Sequence, residues 1–467
     1  MTQDFILRDG NVVRPGFPIE RLDILVRDGR IAGLLQPGEP VPPGTPEQSA
    51  AGLHVFPGCI DAHTHLGFGD RVTEYQSDTG YAARGGITTI VNYLLSGENF
   101  TDVFAREHET ARTRAYIDYG FHFSAASEDN LRNLERYVKD YGVTSFKYFM
   151  NFKGEEGRYL GLDGTDDGFL YDLLGESARL GKLTMVLHTE NIEIVNRVRR
   201  RVQALGGQTL KDWASAKPAF TEAESCVRAM LFAEHLGARI YFPHISSRMA
   251  LDEIRRWRER YDEIYTETCP HYLTHTEDSD LGGLGKGNPP FRTADDREAL
   301  WDGIKDGTIQ VVGSDHSARR RDTKEKNMWV AAQGFPGIAT ILPVLLSEGY
   351  HKRGLSLQRI AEVLTSGPAR IFDMLPRKGQ IALGSDADFT VVDVNLEKVV
   401  KPEELGSYCD YSLYENTVLK GWPVRTIVRG ETIMANGELV GQPGFGQYLN
   451  RTLAHRSGGT QSQGAYA

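Results

Sequence analysis

The chain has 467 residues and a formal net charge of -10, enough for one large domain of roughly 250 residues and a smaller one. Its apolar and charged fractions, 40% and 25%, are those of an ordinary soluble globular protein, and the acidic balance disfavours a nucleic-acid partner. No apolar run reaches the ~18 residues of a membrane span. The N-terminus lacks the basic and apolar regions of a signal peptide. The four cysteines, Cys59, Cys226, Cys269 and Cys409, are scattered without a Cys-x-x-Cys pair, which fits a reducing cytoplasm and no disulfide framework. The expectation is a cytoplasmic protein.

Residues 1–55 read as short strands joined by tight turns. Asp9-Gly10 and Asp28-Gly29 predict hairpin turns, because both turn positions need positive φ. From residue 56 the pattern alternates. Apolar runs of strand length end at His63/His65, near Asn92, near His122, at Lys147, at His188, at His244, near Cys269 and at Asp315, with Phe56-Pro57-Gly58-Cys59-Ile60 supplying the first. Helix-like segments follow, among them Asn130–Tyr141, Ile192–Ala204, Glu222–Leu236 and Ala294–Asp306. Eight such units predict an α/β fold, a (β/α)8 TIM barrel over residues 56–377. Strand-like texture returns over 378–442, where Asn436-Gly437 marks a further turn, so the two chain ends are expected to form one small β-sandwich domain (1–55 plus 378–442). The polar, Gly-rich end of 443–467 reads as a partly mobile tail.

The chemistry-bearing residues fall at the C-terminal ends of the predicted strands, the active-site face of a barrel. Lys147 lies in the apolar run Val143–Met150, where a bare ammonium needs pairing or ligation. His63 and His65 are two apart on a strand and project from one face, so both can bind one metal. His188 and His244 offer neutral imidazoles for a second ion. Asp315 can bind the first metal and accept a proton. The expected site is a two-metal centre of His63, His65, Lys147, His188, His244 and Asp315, with Lys147 carbamylated and bridging. The competing readings are a polar loop for His63 and His65, satisfied core histidines for His188 and His244, a helix N-cap for Asp315 and an unmodified structural lysine. His316 is not counted as a ligand. Such a centre would lower the pKa of a bridging hydroxide to near neutrality. Asp315 would act as general base and then as general acid on the departing nitrogen, cleaving an amide C–N bond.

Taken together these residues resemble the cyclic amidohydrolases, specifically the dihydropyrimidinase and hydantoinase group, with allantoinase and dihydroorotase as relatives. The motifs are Pro57-Gly58 through His65, Gly85-Gly86-Ile87-Thr88-Thr89, Ser145 through Met150, Glu267-Thr268-Cys269-Pro270-His271-Tyr272-Leu273, Pro289-Pro290-Phe291-Arg292, Gly313-Ser314-Asp315-His316, Gly384-Ser385-Asp386-Ala387-Asp388 and Leu419–Val424. The resemblance implies two divalent ions, zinc foremost with manganese, cobalt or iron tolerated, ring opening of small cyclic amides, and a homotetramer or homodimer.

Departures bear on the substrate. The group places a tyrosine where this chain has Phe152; a lost hydroxyl donor costs roughly 10²–10³ in rate unless replaced, with Tyr148 or Tyr159 as candidates. Asn288 stands for the usual serine before Pro-Pro, and Gln333 for the asparagine before Gly334-Phe335-Pro336-Gly337. No arginine follows His65, which disfavours dihydroorotase chemistry. Loops Leu66–Tyr75 and Asn151–Leu162 should shape the pocket. Phe68, Phe149, Phe152 and Tyr159 would give it an aromatic wall suited to a substituted hydantoin or cyclic imide. Phe68, Phe152, Asn288, Gln333 and Gly334 are the expected substrate contacts. The alternatives are an allantoinase-like ureide hydrolase and a non-catalytic scaffold relative.

Overall fold

A computed structural model describes residues 4–153 and 164–453 as a mixed α/β protein with two sheets. One sheet is parallel throughout. Its strands run in the order Val311–Val312, Ile264–Thr268, Ile240–Phe242, Thr184–His188, Ser145–Phe149, Asp118–Ser124, Ile87–Leu94, Cys59–His65 and His316–Ser317. The two terminal strands of that order are separated in the chain only by Gly313-Ser314-Asp315. The sheet is therefore consistent with a TIM-like barrel whose eighth position is shared by one broken strand. Ile87–Leu94, Asp118–Ser124 and Thr184–His188 are buried at every position, as strands covered on both faces are.

Helices connect these strands. Ile192–Ala204 and Ala294–Asp306 have the expected bounds, and Ala219–Leu236 begins three residues earlier than its apolar pattern indicates. The expected helix Asn130–Tyr141 is two, Glu128–Arg132 and Leu134–Tyr141. Asn133 leaves helical geometry at the break and turns its side-chain amide back to Asp129 O at 2.7 Å, a local alternative that asparagine offers the backbone.

The second sheet draws on both chain ends. Its order is Glu438–Leu439, Glu431–Ala435, Val418–Val428, Phe389–Val399, His54–Pro57, Phe5–Val12, Glu20–Arg27 and Arg30–Leu35, with Glu47–Ser49 beside Phe5–Val12. Phe5, Leu7, Ile24, Val55, Phe389 and Ile427 form part of its buried core. Asp28-Gly29 and Asn436-Gly437 are left-handed turns as expected. Asp9-Gly10 is not a turn: Asp9 has φ 63° inside Phe5–Val12, where the register shifts between Leu7 and Gly10. The dipeptide signals a left-handed residue, which a β-bulge uses as readily as a hairpin.

The chain passes from one sheet to the other at Gly58. Phe56 and Pro57 pair with Thr390 and Phe389 in the second sheet, and Cys59 pairs with Ile87 in the first. Phe56 and Pro57 therefore do not belong to the first parallel strand, contrary to expectation. A Cβ on Gly58 would lie 2.3 Å from Thr88 Oγ1 and 2.6 Å from Asp388 Cβ, so the crossing requires glycine.

Under the parallel sheet, at the N-terminal ends of its strands, a buried charge cluster joins the two parts. Lys378 Nζ lies 2.5, 2.9 and 2.7 Å from carboxylate oxygens of Asp118, Asp386 and Asp388, and Arg429 also pairs with Asp118. Residues 446–451 pack here too: Gln447 N donates to Asp118 Oδ1, and the buried Arg451 donates to Ser145 Oγ and Phe121 O. Residues 454–467, the rest of the predicted tail, lie outside the described residues. Lys378→Met leaves three buried carboxylates short of a cation. Denaturant unfolding is expected to show a loss of about 3–5 kcal/mol at pH 7. The gap between variant and parent should narrow as pH falls, because protonated carboxyls no longer need the ammonium.

Candidate active site

The C-terminal ends of the parallel strands bring the six expected ligands together. His65 and His188 are the last residues of Cys59–His65 and Thr184–His188. Lys147 sits mid-strand in Ser145–Phe149. His244 and Asp315 lie two and three residues beyond Ile240–Phe242 and Val311–Val312, both with positive φ, 41° and 51°. Non-glycine residues held in that region cluster at functional sites. Asp315 caps no helix, since the strand His316–Ser317 follows it. His316 Nε2 lies 3.1 Å from Asp78 Oδ1, away from the other histidines' shared point, in keeping with its exclusion as a ligand.

Asp315 Oδ1 lies 3.0 Å from His63 Nε2 and 3.2 Å from His65 Nε2. One donor atom from each of the three residues lies within 4.8 Å of the others. His63 Nδ1 contacts Glu267 Oε1 at 2.5 Å. A carboxylate accepts there, so Nδ1 carries a proton, and Nε2 faces Asp315. That Nε2 is buried and makes no hydrogen bond among the described residues. Burial works against a charge on His63, yet Glu267 and Asp315 outweigh it and raise its pKa to about 9. A buried imidazole whose two nitrogens both face carboxylates holds a proton tightly when no ion is bound, and the same anionic surround is a donor set that fits a cation in the proton's place. The His188 ring packs 4.5 Å from that of His244, which is 5.3 Å from His63. Burial holds His188 and His244 below the usual imidazole range, so both are neutral and able to ligate.

Lys147 is 1% exposed, its ammonium 4.9 Å from the centre of the Tyr93 ring and 5.2 Å from that of Phe149. Burial lowers its pKa to about 8 despite the pull of Asp315 and Glu267. Part of the amine is therefore neutral near physiological pH, and a neutral amine adds CO2 to give a carbamate and a proton.

Three buried carboxylates at this site escaped the sequence reading, and one of them, Glu190, lies 2.7 Å from His188 Nε2 and 3.1 Å from Lys217 Nζ. Glu267 accepts from His63, from the Tyr241 hydroxyl at 2.6 Å and from His244 N at 3.0 Å, so one side chain orients residues of both histidine pairs. Asp61 accepts from Ser314 N and His63 N, each at 3.1 Å, and from Ser314 Oγ. The signal for Glu267 was available: it is the one acidic residue in the strand Ile264–Thr268. Tyr93 was missed as well. Its ring stacks on His65 at 5.2 Å, and its buried hydroxyl has no partner among the described residues.

The expected substrate contacts, Phe68, Phe152, Asn288, Gln333 and Gly334, all line one cavity of about 790 Å³ that also reaches Lys147 and Asp315. Phe149 lines it as well, stacked on Phe152 at 4.3 Å. Tyr148 does not stand in for the missing tyrosine, because its hydroxyl donates to Asp166 O at 3.1 Å. Tyr159 and residues 154–162 of the second expected loop lie outside the described residues. The first expected loop is shorter than Leu66–Tyr75. A helix begins at Arg71, capped by Asp70, and Glu74 accepts from Gly67 N and Gly69 N at 2.7 Å each.

A buried lysine sets one wall of this cavity. Lys324 Nζ donates to Lys286 O, Ala332 O and Gly334 O, each at 2.8 Å, tying the strip before Asn288 to the strip around Gln333. Lys286 Nζ in turn donates to Ala331 O at 2.8 Å and Trp329 O at 3.3 Å. Lys324→Met removes the three bonds at once. It is expected to raise KM by about tenfold or more while kcat falls less, since the loss is one of substrate placement; steady-state kinetics with a thermal melt as control checks this.

Comparison with known proteins accords with this geometry. Residues 176–433 match the model of the amidohydrolase family. The chain is 32% identical to the D-hydantoinase of Geobacillus stearothermophilus over 96% of both chains. It is 34% identical to the allantoinase of Rubrobacter xylanophilus, covering 94% of this chain and 96% of that one. The crystal structure of dihydropyrimidinase from Brevibacillus agri superposes with a TM-score of 0.90 at 30% identity, over 97% of this chain and all of that one. A cation-seeking cluster on the rim of a parallel sheet, in a chain so similar over nearly its whole length to these proteins, shows that it belongs to the amidohydrolase family, among the hydantoinases and dihydropyrimidinases.

Proposed function

We propose that the protein opens a cyclic amide ring, of the hydantoin, dihydropyrimidine or cyclic imide class, by hydrolysis of its C–N bond. The observation that carries this reading is the convergence of His63, His65 and Asp315 on one point, beside the buried amine of Lys147 and the neutral pair His188 and His244. In this reading His63, His65 and Asp315 would hold one divalent ion and His188 and His244 a second, with a carbamylated Lys147 as the ligand they would share. Zinc suits these ligands, and manganese, cobalt or iron are compatible. Such ions, when bound, acidify water to near neutrality and polarise a carbonyl.

The chain's own residues do the rest. Asp315 is ionised, burial notwithstanding, because His63 and His65 hold its carboxyl well below the usual range. It accepts the proton of the attacking water and returns it to the ring nitrogen as the C–N bond breaks. The strips around Asn288 and Gly334, fixed by Lys324, present the ring to that carboxylate. Phe68, Phe149 and Phe152 line the cavity with aromatic surface, which favours a substituted ring over a small polar ureide such as allantoin. All six ligand positions carry ligand side chains, which argues against a non-catalytic scaffold. In this reading the chemistry sits on a (β/α)8 barrel that starts at Gly58 rather than at residue 56 and runs to 377, supported by a β-sandwich of the two chain ends, in a cytoplasmic homotetramer or homodimer.

Metal-replete protein assayed against dihydrouracil, hydantoin, phenylhydantoin, allantoin and a cyclic imide is expected to open at least one ring, phenylhydantoin faster than allantoin, with Lys147→Ala abolishing turnover. Silence across the panel in protein that holds two ions per chain would sink the ring-opening reading. Glu267→Gln, which keeps the shape but weakens the grip on His63 and His244, is expected to lower divalent-metal affinity about 10–100-fold, measured by competition with a chelator.

A further inference from the structure

The cavity has a charge pattern that ring opening does not use. Among the described residues, and apart from Lys147, the side chains lining it include Arg199, Arg200, Lys286 and Arg319 and one carboxylate, Asp315. Asp315 is already engaged with His63 and His65. In a chain of net charge -10, two of these cations, Arg200 and Arg319, stand at the cavity with no ion pair among the described residues. The sequence shows where part of this comes from: the run Arg319-Arg320-Arg321 begins two residues after the strand His316–Ser317.

The three arginines of that run are treated differently. Arg320 pairs with Asp410 at 3.2 Å, and Arg321 with Glu415 at 2.7 Å and Glu325 at 3.1 Å. Arg319, the one that lines the cavity, has no ion pair among the described residues. It is half-buried, and its Nε donates to Gln333 O at 3.3 Å, which fixes the guanidinium beside an expected substrate contact and leaves both Nη groups for a ligand. A half-buried guanidinium gives up part of its hydration. Its planar fork matches a carboxylate bidentately. Arg200, exposed at the same cavity and likewise without an ion pair among the described residues, extends the positive field outward, and such a field steers anions inward.

We propose that the preferred substrates are cyclic amides whose ring substituent ends in a carboxylate, received by Arg319. This rests on the ring-opening reading and adds to it the chemical class of the substituent. The aromatic residues of the same cavity would cover the ring and the stem of the substituent, and the guanidinium its end.

The test compares two ligands of equal shape, hydantoin-5-propionate and hydantoin-5-propionamide, on metal-replete wild type, Arg319→Gln and Arg319→Lys. Wild type is expected to favour the propionate in kcat/KM by about tenfold or more, the scale of one charge-assisted interaction. The ratio should fall to near parity in Arg319→Gln and stay intermediate in Arg319→Lys. Ionic strength of about 0.5 M should narrow it. Parity in wild type, preference for the amide, or a preference that Arg319→Gln leaves intact overturns the proposal. Calorimetric binding of both ligands separates the two readings. Charge-selective binding without ring opening supports the arginine and sinks the hydrolase. Ring opening of both ligands without charge selection sinks the arginine alone.

Discussion

The site depends on a seam. The first strand of the parallel sheet meets the eighth only through the pair His316–Ser317, and Asp61 carries much of that junction. Its carboxylate accepts from Ser314 on one side and from His63 N on the other. Burial raises its pKa to about 6, against the lowering effect of Ser314, so the charge is kept at a cost that only its hydrogen bonds offset. Those bonds hold Gly313-Ser314-Asp315 out of the ladder, and Asp315 enters the left-handed region as a result. The approach of its carboxylate to His63 and His65 is thus a product of how the sheet closes.

Around this seam the molecule handles buried charge in two ways. At the rim, Glu267 gathers three donors from two strands and the loop beyond one of them, which fixes imidazole orientation before any ligand arrives. Preorganisation of that kind is worth more in a dry site than in water. At the cavity wall, Lys324 and Lys286 direct their ammonium groups at five peptide carbonyls in all. Burial holds the Lys324 pKa well below the usual lysine range, with Lys286 adding to the effect. Both lysines order a segment with no helix or strand over residues 329–334, which ends in a bridge at Phe335.

Much of this was legible in the sequence, because its signals are local. Two histidines spaced by two, a lysine in an apolar run and an aspartate after Val-Val each announce a polar group at a buried strand end, and parallel strands must end on one rim. The union of the two chain ends followed from turn dipeptides and β-branched runs. What the sequence did not disclose depends on long-range partners. Asp61, Glu267 and Lys324 each acquire part of their role from a partner 253, 204 or 38 positions away, and nothing in their own neighbourhoods names that partner. Asp9-Gly10 misled for a related reason, since positive φ serves bulge and turn alike. The Tyr148 hydroxyl, by contrast, was readable: it neighbours Lys147 on the strand, and alternation sends it outward, to Asp166 O.

The buried cluster of Lys378 with Asp118, Asp386 and Asp388 sits at the opposite ends of the strands from the ligands. Stability anchored there is decoupled from the loops that meet the substrate. Such a frame can exchange rim residues, as Phe152, Asn288 and Gln333 exemplify, without loosening its foundation. That separation offers a physical account of how one architecture is shared by relatives named D-hydantoinase, L-hydantoinase and allantoinase at 31–34% identity. The molecule is built to be evolvable at one end because it is fastened at the other.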